Sequence, residues 1–352
     1  FIPANAHASL AGRSGMNAYA IKTNPAGDVI WAKNFFGGGG NGTASSVKTD
    51  KDGNIYITGL FNEELDFGTV QISSKGERDI YVVKLDSNGN YIWAHGFGGD
   101  DKTDEWGVGI DVDGAGNVYV TGQLTKGDVD MDPGAGVHLV SGPGIFVLKL
   151  SAAGNFEWAN AINGELFLKE FTGDVLKVNE NGDVHITGYF ANTVDFDPTG
   201  SGQTLTSIPM VPPGSFPDHD AFILKLDNAG NYRWARSIGG GGFTQGWGIT
   251  VDDESNVYSV GTFANQIDLD PGAGSHVVQS FNSNHDTYIS KLDSNGNYVW
   301  GKSFGGNGTE YGHGIEIDQL KNVYVTGSAG STRLDYNPGT NPQDTFFADR
   351  IG

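Results

Sequence analysis

A hexapeptide of the form Asn-Val-Tyr-Val-Thr-Gly comes round five times, ending at Gly59, Gly122, Gly188, Gly261 and Gly327, at intervals of 63, 66, 73 and 66 residues. A second marker, an apolar stretch closing in Lys-Leu-Asp and then Gly-Asn-x-x-Trp, sets Trp31, Trp93, Trp158, Trp234 and Trp300 at intervals of 62, 65, 76 and 66. Two markers that keep one period define a structural repeat. Such a unit buries its apolar face only against its neighbours.

Each period holds four short β-type segments, a to d. In the second copy they are Gly107 to Val112, Asn117 to Leu124, Ile145 to Leu150 and Phe156 to Ala161. The first alternates, the second is β-branched and aromatic, the third is almost continuously apolar, and the fourth carries the Trp. The a–b link reads Asp-x-x-Gly-Asn (Asp50 to Asn54) and the c–d link Asp-Ser-Asn-Gly-Asn (Asp86 to Asn90). An Asp that bonds amides two residues on, with a Gly tolerant of positive φ, closes a hairpin. Four antiparallel strands per repeat predict an all-β protein, a β-propeller with one blade per repeat.

At these residues the chain resembles the bacterial β-propeller repeats usually called SBBP repeats, whose motifs G-N-x-Y-V-T-G, V-D-F-D-P-G, D-x-F-V-x-K-L-D and G-N-x-x-W recur here in fixed order from Asn17 to Gly352. The resemblance implies a secreted or surface-attached bacterial protein, often part of a larger one. It implies no common activity.

The ends depart from the pattern. Residues 1–16 read as an N-terminal extension and 17–352 as a single propeller, with full repeats over 43–99, 105–164, 170–240 and 244–306. Residues 17–38 supply only strands c and d; 310–352 supply a, b and a degenerate c at Phe346 to Arg350. A five-bladed ring, its last blade completed by the N-terminal strands, removes both sheet edges. The alternative is a section of a longer ring.

Acidic residues outnumber basic ones 42 to 21, giving a net charge of −21 with no basic stripe, which excludes nucleic acid and anionic lipid as partners. No apolar run is long enough for membrane insertion. With no cysteine, disulfides, thiolate metal sites and cysteine nucleophiles are excluded. No H-E-x-x-H, G-x-S-x-G or Walker string occurs, and Gly37 to Gly42, which spells G-x-G-x-x-G, leads into a strand rather than a helix. The five repeated Trp residues occupy one place in every copy, which marks them as packing between blades.

The informative residues break the repeat. The b–c links are long and variable, greatest from Phe190 to Ala221, while the hairpin turns hardly vary, so binding belongs on the b–c face. Within these links recur acid pairs: Asp130 with Asp132, Asp195 with Asp197, Asp268 with Asp270. Carboxylates at alternate positions can share a Ca²⁺, the cofactor candidate; solvated acids at an Asp-Pro-Gly turn are the alternative. At the start of strand a, alignment on the turn Asp makes Ser45, Val108, Asp174, Trp247 and His313 equivalent. Trp106, Trp247 and Tyr311, with Glu105, Asp174, Glu310 and His313, form a candidate ligand site for a glycan or protein; filler of the channel is the plainer alternative. The expected function is a non-catalytic secreted or cell-surface binding or adhesion module. The alternatives are a glycosidase or lyase using Asp174, Glu105 or Glu310, and a purely structural spacer.

Overall fold

The computed structural model describes residues 16–35, 41–99, 104–169, 174–209, 218–335 and 345–347. Its contacts divide the chain into two compact units, Phe1–Ala161 and Ile162–Gly352, and the division falls inside strand d of the second copy.

The first unit begins with a two-stranded hairpin, Ala18–Thr23 paired with Val29–Phe35. The first copy follows as an antiparallel sheet in the order a (Gly42–Thr49), b (Ile55–Phe61), c (Asp79–Leu85), d (Tyr91–Phe97). The second repeats that order with Glu105–Val112, Val118–Leu124, Gly144–Leu150 and Phe156–Asn163. Strands b and c are buried along their whole length in both copies, which is why they read as apolar runs rather than as alternation. In the a–b turn Asp50 accepts the amides of Asp52 and Asn54, and its other oxygen accepts Asn54 Nδ2 and Tyr56 Oη. Gly53 takes φ 78° there. The same network recurs at Asp113, and in the second unit at Asp252 and Asp318.

In the first unit Trp31 and Trp93 of strand d each seat on the following copy. Trp31 Nε1 donates to Ser87 O at 3.2 Å and Trp93 Nε1 to Ala152 O at 3.3 Å, with the ring planes against Gly89 and Gly154. The scaffold role expected of these residues follows from that contact.

The second unit holds copies three and four and half of a fifth. Copy four is regular: Thr244–Val251, Val257–Ala264, His285–Leu292, Tyr298–Gly306. Copy three has b, c and d at Val184–Phe190, Asp220–Leu226 and Tyr232–Ile238, but its strand a is interrupted. Leu166–Phe167 pairs with Tyr189 and Phe190, and Leu176–Val178 pairs with Val184 to Ile186. Strand a thus starts before residue 170, the boundary suggested by the repeat, because Leu166–Phe167 already pairs with strand b. The fifth copy has strands a (Glu310–Ile317) and b (Val323–Ala329).

A small outer hairpin follows every strand b: Glu64–Asp66 with Gln71–Ser73, Asp128–Asp130 with Leu139–Ser141, Thr193–Asp195 with Thr204–Thr206, and Gln266–Asp268 with Val277–Gln279. After the fifth copy, Arg333–Asp335 pairs with Thr345–Phe347 in the same way. Residues 345–347 therefore take the outer-hairpin position rather than that of a degenerate strand c. Residues 1–15 and 348–352 lie outside the described residues, as do Pro212, Pro213 and Pro217 of the longest b–c link. Four-stranded repeated sheets, with a 3₁₀ turn at Phe281–Ser283 as the only helical segment among the described residues, fit a β-propeller.

Candidate ligand-binding face of the second unit

The position that varies at the start of strand a is a β-bulge. In copy four the pairing runs Gly246 with Gly261 and then Gly248 with Val260, leaving Trp247 as the extra residue. His313 is the extra residue in copy five, as Ser45 and Val108 are in the first unit. A bulge adds one residue to one strand and re-aims its side chain while the ladder continues on either side. The sheet can therefore repeat while this side chain does not. In copy three the pairing of strand a breaks after Phe167, which lies opposite Tyr189, and the ladder resumes where Thr187 donates to Val175 O at 3.0 Å. Asp174, aligned with the other four, immediately precedes the point where the ladder resumes.

These bulges bring several of the expected residues together. Trp247 stacks on Tyr311 at 5.3 Å between ring centroids and lies 4.8 Å from His313. Lys169 Nζ stands 4.3 Å over the Trp247 ring. Asp174 O accepts Ile249 N at 2.8 Å, and its Oδ2 faces Gly314, where an added Cβ would come within 3.1 Å. Trp247 is only 5% exposed. Covered by Tyr311 and Lys169, it anchors the face instead of offering a free ring. Tyr311 and His313 remain half-buried, and His313 Nε2 meets Ser328 Oγ at 3.2 Å. Burial, then the nearby Lys169 charge, lowers the His313 pKa below the ordinary histidine value and favours a neutral ring with one donor and one acceptor.

Glu310 is buried, with its two oxygens accepting Gly306 N and Ser331 N at 3.0 Å each. It closes a turn. Trp106 and Glu105 belong to the first unit, where Trp106 is half-buried and Glu105 fully buried in strand a.

Residues that sequence reasoning passed over extend the face. A line of ring contacts runs from Phe167 and Tyr189 through His219, Phe243 and His285 to Tyr311. The signal was available, since His219 and His285 each directly precede the Asp that recurs at the start of the strand c motif. Those acids, Asp220 and Asp286, are buried against Gly239 and Gly305, and burial raises their pKa to about 6 and about 7.

The acid pairs serve the outer hairpins. Asp130 Oδ1 accepts Asp132 N and His138 N, and Asp132 Oδ1 accepts Gly134 N. Asp268 and Asp270 repeat this with Asp270 N, His276 N and Gly272 N. Asp195 accepts Asp197 N and Gly202 N, while Asp197 holds Thr199 and Ser201. No group of three acid or histidine side chains suited to a metal forms among the described residues. Ca²⁺ takes about six to eight oxygens, so side chains alone fall short and carbonyls and water would have to supply the rest.

Comparison with known proteins yields a distant relative. The chain is 23% identical over 369 aligned positions to an uncharacterized WD repeat-containing protein of Acanthamoeba polyphaga mimivirus, covering 91% of this chain and 26% of the relative. The chain thus spans about a quarter of that protein's length. No family model matches. WD repeats are one sequence form of propeller blade, which agrees with the four-stranded sheets.

Proposed function

We propose that the chain is a non-catalytic binding module, secreted or displayed on a bacterial cell surface within a larger protein of the SBBP-repeat kind. The observation that carries this is the contrast at the bulge: turns and ladders repeat, while Trp247, His313, Lys169 and Asp174 meet at one face. The scaffold is read as a five-bladed ring whose last blade is completed by the N-terminal strands. The ligand is read as a glycan: Tyr311 and the other half-buried rings suit the apolar faces of sugars, and neutral His313 with Ser328 suits their hydroxyls. A glycosidase needs two carboxyl groups about 5–9 Å apart free to act on the bond. Glu310, committed to two amides, is a poor candidate.

The test is binding to a glycan array by the parent chain and by Tyr311→Ala and His313→Ala. Both variants are expected to lose the bound glycans at an unchanged melting temperature, whereas Trp247→Ala lowers that temperature. Retention of every array signal in both variants would remove the face from consideration.

A further inference from the structure

Six rings of the second unit form one line of contacts, from Phe167 through Tyr189, His219, Phe243 and His285 to Tyr311, with neighbouring centroids 5.1 to 5.9 Å apart. Copy three supplies the first three rings, copy four the next two and copy five the last. Phe167 is 37% exposed and the other five are half-buried, so each keeps part of its side chain in solvent.

The packing of a copy does not require these rings. Phe167 opposite Tyr189 and Tyr311 opposite Ser328 occupy one place in the ladder. The same place holds Thr43 with Leu60, Trp106 with Gln123, and Gln245 with Thr262 in the other copies. His219 and His285 directly precede the Asp of strand c, where the first copy has Arg78. Phe243 directly precedes strand a, where the other copies have Asn41, Asp104, Glu165 and Thr309. Rings that hold the sheets together recur, as the Trp of strand d does. The rings of this line are particular to their copies, yet they touch one another.

The line carries little charge. Burial lowers the pKa of His219 and His285, as it does that of His313 beside Tyr311. Glu165 and Asp218 oppose the shift at His219, and Lys169 adds to it at His313. A neutral imidazole offers one donor and one acceptor beside its ring face. A ligand matching the whole line must therefore present an apolar face and hydrogen-bonding groups again at each step. The sugars of a polysaccharide do so by repetition, and the spacing of the rings is comparable to the length of one pyranose. Chains bearing carboxylates or sulfates would be repelled by Glu165 and Asp218. These acids also line an open cavity of about 400 Å³ with Asn192, Thr193, Thr206 and Ser207, which gives a chain room to continue beyond the Phe167 end.

We infer that the line from Phe167 to Tyr311 is a track for an internal stretch of an uncharged polysaccharide, one ring to a sugar, rather than for a terminal sugar. This rests on the glycan reading above and specifies its ligand. Affinity then grows with chain length until the rings are covered, because each further contact is made by a chain already tethered.

The test is an array carrying length series of glucan, mannan and chitin oligomers with their polymers, and polyuronates beside them. It is read for the parent chain, Phe167→Leu, Phe243→Leu and Phe243→Tyr, with the melting temperature of each. Leucine keeps an apolar side chain and removes the flat ring; tyrosine keeps the ring. The parent is expected to bind the long members of an uncharged series and not its disaccharide. Each leucine variant should lose about tenfold in affinity for the long members. Phe243→Tyr should bind like the parent, which separates loss of the ring from damage to the fold. Equal capture of short and long members, or parental affinity in both leucine variants, would overturn the track and leave glycan binding standing. Capture of polyuronates alone would overturn the choice of an uncharged chain. A parent that captures no glycan would overturn the glycan reading and the track together.

Discussion

Trp234 of copy three lies flat against Gly296 of copy four, so close that a Cβ on the glycine would come within 2.9 Å of the ring, and its Nε1 donates to Ser294 O at 3.1 Å. The glycine is required twice, since it also holds φ 78° in its turn. Trp234→Ala is expected to cost about 3–5 kcal/mol in equilibrium unfolding. Gly296→Val should destabilise as well, through both strain and clash. Wild-type stability in Gly296→Val would show that this contact does not join the copies.

Asp286 predicts the response to base. Its pKa is raised to about 7, mainly by burial, with Glu310 adding repulsion, against 3.8 for an ordinary aspartate. The folded state therefore keeps a proton that the unfolded chain has released, and stability falls as pH rises from about 4 to about 7. Asp286→Asn should flatten that part of the melting-temperature profile. A variant with the parental slope would assign the slope to other groups.

The third copy predicts the response to acid. Where the others have Asp, Asn and Tyr, it has Asn179, Asp183 and His185, and Lys225 pairs with Asp183 at 3.0 Å. Burial, then the Lys225 charge, depresses the His185 pKa to about 3. The unfolded state binds the proton first, so stability is complete above the unfolded value of about 6.5 and declines as pH falls, by about 2 kcal/mol at pH 5. Restoring the common set with Asn179→Asp, Asp183→Asn and His185→Tyr together should abolish this loss in urea titrations at pH 5 and 7. His185→Tyr alone should destabilise, because Asn179 offers the phenol no carboxylate.

The outer hairpins give a local prediction. Asp130→Ala removes the acceptor of two amides and should cost about 1–3 kcal/mol. Hydrogen exchange should accelerate at Asp132 and His138 and leave strand b unchanged. Exchange that stays slow at both amides would mean that the carboxylate does not hold the turn.

The blades were legible because their determinants are local: an Asp closing a turn, a glycine at positive φ, and apolar runs long enough for one strand. The scaffold role of Trp93 and Trp234 followed from their constant place. The bulge was not legible. Trp247 and His313 look like ordinary members of an alternating strand, and only the pairing partners on strand b reveal the extra residue. Nor could the sequence place Lys169 over Trp247, because it lies just past Phe167, where strand a of the third copy departs from the pattern of the others. The acid pairs looked like cation ligands because alternation is visible in sequence, whereas the turn amides that occupy them are not.

The bulge in strand a makes each copy editable at one point. One residue in four of the copies occupies the same gap in the ladder, and in the third the ladder breaks near that point, after Phe167, yet the pairing before and after the gap is kept in all five. A gene encoding such a chain can therefore lengthen or rewrite that gap in one copy without retuning the rest, so new specificities can accumulate by local insertion while the surrounding sheets stay interchangeable.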